Sequence, residues 1–334
     1  MYIVERYVGE CIQSLLDQSF TDFEAIFVDD GSTDNTLSVA QSLVAGDERF
    51  SFLSQENAGQ SAARNKALAV AQGDFVLFLD SDDAFVPQTI ERLMGVRDQL
   101  DLDAVYFTAK MNYEDRNLVR THFETYADRV GEEDVLNGFD MMVHFHKTES
   151  FRPSACMYLI RRSVLEGANL RFYEGIIHED LLLTLQLFPY IGRCVFLNEA
   201  LYVRRMRHGS TMTKPRSIEN VHGLFTVARE TEKQLREHLD EWPQDYIDAI
   251  CNRIYNTWDT MARDAVELGE ETIAAYRDTL TGEDRVAFNL NVLEPGRYMS
   301  ALQHFYTDST SFKLGRALLA GPGWVKDRFI KVPE

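Results

Sequence analysis

Basic residues are in short supply in this 334-residue chain: 34 lysines and arginines face 53 aspartates and glutamates, a formal net charge of -19 at pH 7. That balance argues against a nucleic-acid partner, because phosphate backbones are bound by basic surfaces that release counterions. An acidic chain can still bind a nucleotide through a metal. Cysteine is also scarce. Cys11, Cys156, Cys194 and Cys251 lie far apart and form no CxxC pair, so neither a zinc site nor a disulfide framework is signalled, and reduced core thiols are expected. No run of ~18 apolar residues is present to span a bilayer, and no basic, apolar and small-residue order opens the sequence as a secretory leader would. The expected location is the cytoplasm. Apolar residues are plentiful at 45%, with 26% charged, which fits a soluble globular protein. A prior of ~150 residues per domain suggests two domains, or one enlarged domain with an extension.

The order of apolar runs is informative. Tyr7, Val8, Cys11, Ile12, Leu15 and Leu16 recur at helical spacing and predict an amphipathic helix ending near Gln18. Phe23 to Val28 reads as a strand, with Thr33 or Asp34 capping a helix through Leu43. Phe50 to Leu53 predicts a strand, Ser61 to Ala71 a helix, and Phe75 to Leu79 an apolar strand. Such alternation implies an α/β fold with a mainly parallel sheet, whose ligands bind beyond the carboxyl ends of the strands. Asp29-Asp30 and Asp80 to Asp83 fall at those ends. Between Val105 and Val203 the pattern is mixed, with strands at 104–107, 157–160 and 194–197 and helices around 135–144 and 181–188. After Pro215, long helical patterns at 218–242 and 246–268 are separated by Pro243. Three regions follow: 1–110 and 111–214 as two halves of one domain, and 215–334 as a helical C-terminal extension.

Asp80 and Asp82, in FLDSDD, point the same way if the strand end is extended. Paired carboxylates repel without a cation, and hard oxygen ligands suit Mg²⁺ or Mn²⁺ bridging to substrate phosphates. Taken alone, such a DxD is more often a solvated acidic turn capping the next helix.

The strings VDDGSTDNT (28–36), ENAGQSAARNKAL (56–68) and GDFVLFLDSDD (73–83) resemble the inverting glycosyltransferase family 2 with the GT-A fold. The resemblance covers roughly the first 210 residues. It implies transfer of a sugar from a UDP-sugar, or another nucleotide diphosphate sugar, to a carbohydrate or lipid-linked glycan acceptor in bacterial polysaccharide or glycoconjugate synthesis. On that basis Asp30 contacts the uracil ring, with Asp29 beside it in a contact or capping role. Asp80 binds ribose or supports the metal, Asp82 ligates Mn²⁺ or Mg²⁺, and Asp83 assists through water. Arg64 and Asn65 reach the nucleotide or brace the sheet. YEGIIHEDLLL (173–183) resembles the family's ED motif, which makes Asp180 the catalytic base with Glu179 as its neighbour; Asp at a helix start is also a favoured cap. LYVRRMRHGSTMT (201–213) resembles the segment closing over the diphosphate, with Arg204, Arg207, His208 and Ser210 as candidates; a strand with outward-facing arginines explains Arg205 equally well.

Relatives begin with a strand of the form VSVIIPVYN, whereas MYIVERY aligns only with its last residues. That strand is therefore expected to be missing, leaving its neighbours with unpaired backbone groups at ~1–3 kcal/mol each if buried. A sugar-nucleotide-binding protein with impaired turnover is the alternative this raises. A metal-dependent phosphatase or nucleotidyltransferase shares clustered aspartates, but it does not predict the ordered VDDGSTD, AARN and HED set. From Phe312 onward, Lys313, Arg316, Lys326, Arg328 and Lys331 alternate with apolar residues and Trp324. This suits a peripheral contact at the inner face of the membrane, or a helix packed on the body.

Overall fold

In a computed structural model of the protein, the described residues are 1–115, 117–118, 134–210 and 213–293. They form two units, Met1–Gly175 with Gln186–Lys214, and Ile176–Leu185 with the chain from Pro215 onward.

The first unit opens with α1 (Val8–Leu16), which buries Val8, Cys11, Ile12 and Leu15 along one stripe. β1 (Ala25–Asp29) and β2 (Phe50–Ser54) pair in parallel, Ala25 opposite Phe50 and Asp29 opposite Ser54, and α2 (Thr36–Leu43) connects them. Asp34 starts α2 by accepting from the Thr36 N–H at 3.1 Å and its hydroxyl at 2.6 Å. Then come α3 (Gln60–Val70), β3 (Phe75–Leu77), β4 (Ala84–Phe85), α4 (Thr89–Leu100) and β5 (Ala104–Tyr113). The unit continues with α5 (Gly138–Lys147), β6 (Tyr158–Arg161) and α6 (Arg162–Gly167). α7 (Glu179–Leu187), most of which belongs to the second unit, precedes β7 (Cys194–Met206) of the first.

A five-stranded sheet has the order β3-β6-β5-β7-β4. β5 and β7 run parallel, while β3–β6, β5–β6 and β4–β7 are antiparallel. The sheet is thus mixed rather than mainly parallel, because an apolar run signals burial but carries no strand direction. β5 and β7 also outrun the stretches 104–107 and 194–197. Their far ends, with Lys110, Asn112, Arg204 and Arg205, are held by mutual pairing up to Tyr113 opposite Met206. The core behind the sheet is aromatic: Tyr106 stacks on Phe188 at 5.9 Å and meets Phe145 edge-on at 5.7 Å. Among the described residues, β1–β2 is not hydrogen-bonded to the larger sheet. On the flank of β1 facing away from β2, the Met1 ammonium donates to the Val28 carbonyl at 2.6 Å and Asp30 N–H donates to the Met1 carbonyl at 2.8 Å.

The second unit is helical: α8 (Ile218–Glu237), α9 (Gln244–Leu268), α10 (Glu270–Thr279) and α11 (Gly282–Phe288). Ser217 and Asn220 close a capping box at the head of α8, which ends at Glu237, and Pro243 stands as the N-cap of α9, where its missing N–H costs no helical hydrogen bond. Phe225 meets Trp258 at 5.8 Å and Phe288 at 6.0 Å. The half-buried Glu232 accepts from the Trp258 indole at 2.9 Å and from Arg229 at 2.8 Å. No helix among the described residues is long and apolar enough to cross a membrane. The tail from Phe312 lies outside the described residues, as do Thr211 and Met212.

Candidate functional site

The acidic stretch after β3 is a turn, closed by the Asp83 N–H donating to the Asp80 carbonyl at 3.0 Å. Asp83 is buried and anchors the turn to β7. It accepts from the Tyr202 hydroxyl at 2.7 Å and from the Arg205 N–H at 2.6 Å, while the Tyr202 oxygen accepts from the Asp80 N–H at 3.3 Å. Burial, and then the charges of Asp80 and Asp82, push the Asp83 carboxyl up to about 8. Asp83 is therefore built into the turn's support.

Asp80 and Asp82 each meet an arginine. From α3, Arg64 reaches Asp80 Oδ1 at 2.7 Å, with its guanidinium over the Phe172 ring at 5.1 Å. Burial alone would raise the Asp80 carboxyl, but Arg64, joined by the Arg204 charge and the Cys156 thiol, holds it below the ordinary carboxylate value. Just past β7, the Nε of Arg207 donates to Asp82 Oδ2 at 2.9 Å. Arg205 Nε donates to the Asp82 carbonyl at 2.9 Å and its far end pairs with Glu10. Both guanidiniums lie against Tyr7, at 5.2 Å for Arg205 and 4.9 Å for Arg207.

At the end of β1, Asp29 and Asp30 are buried. Asp29 accepts from the Ser32 N–H at 3.4 Å. Asp30 collects three donors from the loop before α3: Gln55 Nε2 at 2.8 Å and the Ala58 and Gly59 N–H groups, each at 2.9 Å. Gly59 turns into α3 at φ 90°, a conformation that glycine adopts without strain. Asn65 clips a distant segment. Its side chain donates to the Phe172 carbonyl at 2.9 Å and to Glu174 at 3.0 Å, and accepts from the Phe172 N–H at 2.9 Å.

Asp29, Asp30, Arg64, Asp80 and Asp82 thus gather around the ends of β1 and β3 in one unit. His208, with a largely exposed side chain, instead pairs with Asp115 at 3.0 Å. Ser210 lies 3.2 Å from the Thr213 hydroxyl, which donates to the Arg207 carbonyl at 2.8 Å. Glu179 and Asp180 open α7 in the second unit; Glu179 is buried and Asp180 accepts from the Leu181 N–H at 2.8 Å. His178 precedes them at φ 72°. Tyr202 and Tyr7 were not singled out in the sequence. The one signal for Tyr202 is a hydroxyl inside an apolar run, and its bond to Asp83 spans 119 positions, beyond any local pattern.

Among the described residues no group of three or more His, Cys, Asp or Glu side chains forms a ready cation cage. Two aspartates with hard oxygen donors fit a Mg²⁺ or Mn²⁺ ion that completes its shell with water and substrate phosphate.

Known proteins share this architecture. The uncharacterized glycosyltransferase YibD of Escherichia coli K12 is 31% identical over 235 residues, spanning 69% of this chain and 68% of YibD. S. aureus TarS 1–349 in complex with UDP-GlcNAc has a TM-score of 0.58 at 22% identity, over 77% of this chain and 81% of that one. Mannosyltransferase PcManGT from Pyrobaculum calidifontis, in complex with GDP-Man and Mn²⁺, has a TM-score of 0.55 at 14% identity, over 99% of this chain and 86% of that one. These likenesses establish the α/β GT-A type of fold. Residues 1–167 match the family described as Glycosyl transferase family 2, and with half of its length covered by that match this chain belongs to glycosyltransferase family 2.

Proposed function

We propose that the protein transfers a sugar, with inversion, from a nucleoside diphosphate sugar to a carbohydrate or lipid-linked glycan acceptor. A UDP-sugar is the donor favoured by the VDDGSTD resemblance. The observation that carries the proposal is the turn Asp80–Asp83, anchored to β7 through Tyr202 and Asp83 at the end of β3. It holds two carboxylates in place beside Arg64 and Arg207. Asp82, supported by Asp80, would hold Mn²⁺ or Mg²⁺; when bound, such an ion supplies Lewis-acid stabilisation of the departing diphosphate. The loop tied by Asp30 and the neighbouring Asp29 would shape the nucleotide pocket. Asp180 would remove the acceptor hydroxyl's proton as that oxygen attacks the anomeric carbon, with Glu179 beside it. His208 and Ser210 would contribute to closing over the diphosphate. The setting proposed is cytoplasmic synthesis of a bacterial polysaccharide or related glycoconjugate.

Calorimetry with UDP in Mn²⁺ and in EDTA tests the donor half. Affinity should be higher with Mn²⁺, and Asp82→Ala should erase the difference; equal affinity in both buffers would remove the metal role. For the transfer half, Asp180→Asn should lower turnover by at least ~100-fold with donor affinity nearly unchanged. A variant that loses thermal stability but keeps turnover would mark Asp180 as a helix cap only. Tight donor binding by the unaltered protein without transfer or donor hydrolysis would favour the binding-protein alternative.

A further inference from the structure

Arg207 and Asp82 form an ion pair in which both side chains are 21% exposed. A pair this far out of water is costlier to break than a surface pair, because each charge left behind is poorly hydrated. Arg207 is also held from the other side: its guanidinium lies 4.9 Å from the centre of the Tyr7 ring. Arg205, 5.2 Å from the same ring, is occupied by Glu10 and the Asp82 carbonyl. Asp82 Oδ2 is thus already compensated by a cation belonging to the chain. An arginine does not lose its proton in the working pH range, so this cation leaves only by exchange for another partner.

From this we infer that Arg207 is an internal counter-cation for Asp82, so that divalent metal binds the free protein weakly and binds tightly only together with a nucleoside diphosphate. The inference rests on Asp82 being a metal ligand, as proposed above. Metal alone would take Asp82 and strand a guanidinium beside a dication. Diphosphate alone would draw Arg207 away and strand a carboxylate beside a polyanion. Arriving together, the two exchange partners cleanly: the metal takes the carboxylate, and Arg207 takes diphosphate oxygens, which suit its planar fork. Charge is matched on both sides of the exchange, and the coupling is reciprocal, each ligand raising the affinity of the other. The Arg64–Asp80 pair stays in place throughout, and Arg207 acts on the metal by positioning charge.

The test is a titration of Mn²⁺ by electron paramagnetic resonance on the full chain, with and without saturating UDP, for the unaltered protein, Arg207→Gln, Arg207→Lys, Tyr7→Leu and Asp82→Asn. Mn²⁺ should bind the unaltered protein at least ~10-fold more weakly without UDP than with it. Arg207→Gln should tighten Mn²⁺ binding without UDP by a similar ~10-fold and shrink the effect of UDP, while Arg207→Lys stays near the unaltered protein. Tyr7→Leu should shift affinity in the same direction by less, and it provides the same reading if Arg207→Gln fails to fold. Loss of Mn²⁺ binding in Asp82→Asn, with no tightening in Arg207→Gln or Tyr7→Leu, would overturn the counter-cation and leave the ligand assignment standing. Mn²⁺ affinity indifferent to Asp82→Asn in both conditions would overturn the ligand assignment and the counter-cation with it.

Discussion

His178 combines two local costs two residues before the proposed base. Its φ of 72° places a β-carbon in the left-handed region, disfavoured by ~1–2 kcal/mol, and its Nε2 is buried with no hydrogen-bond partner among the described residues. Burial, then the nearby Arg216 charge, lowers its pKa from the ordinary 6.5. The unfolded chain therefore takes up this proton first as pH falls, so stability present above about 6.5 is lost below it. Urea unfolding followed by tryptophan fluorescence reports on the second unit through Trp242 and Trp258. The loss between pH 7.5 and 5.5 should be smaller in His178→Asn, whose side chain tolerates the left-handed backbone; an equal loss in both proteins would show that His178 is not the group responsible. At this scale the sequence was legible as to identity and silent as to partners. VDDGSTD and FLDSDD single out Asp30 and Asp82, but Asp30's three donors and Asp82's arginine come from loops and strands that only the fold brings near.

Among the elements, α8 carries a glycine whose worth is hidden from propensity. A β-carbon at Gly223 would lie 2.1 Å from the Ile177 carbonyl oxygen, so α8 and the residues leading into Glu179 and Asp180 pack backbone to backbone. Helix propensity favours alanine over glycine by ~1 kcal/mol, whereas overpacking costs ~1–3 kcal/mol and displaces what it touches. The backbone oxygen cannot rotate away, so packing should win. Gly223→Ala is expected to lower the melting temperature and turnover together; a raised melting temperature would show that the segment yields freely. The helices themselves were readable, because 3.6-residue periodicity and Pro243 mark α8 and α9. β5 was read only over 104–107, and β7 over 194–197 with a strand around Arg205 as one of two readings. Their polar ends are strands because they pair with each other, a long-range cause that no local window contains.

For the whole molecule, β1–β2 stands as a two-stranded sheet beside a five-stranded one. Small sheets with few paired neighbours open at lower free energy than central strands. Hydrogen exchange should find amides of β1 and β2 at least ~10-fold less protected than those of β5 and β7; equal protection would mean that both sheets open as one cooperative body. The α/β alternation was legible from the order of strands and helices, but the antiparallel pairings were not. The parallel β5–β7 pair has a further bearing on how the chain is made. Ser54 completes β1–β2 early in synthesis, whereas β4 and the far side of β5 have no partner until β7 ends at Met206. At ~5–20 residues per second, the roughly 120 residues from the end of β4 at Phe85 to Met206 take about 6–24 seconds to emerge. Throughout that interval the nascent chain carries strand edges awaiting residues not yet translated, open to pairing with neighbouring chains on the same messenger. Slowing translation between codons 85 and 206 is therefore expected to lower yield, although no property of the finished fold records it.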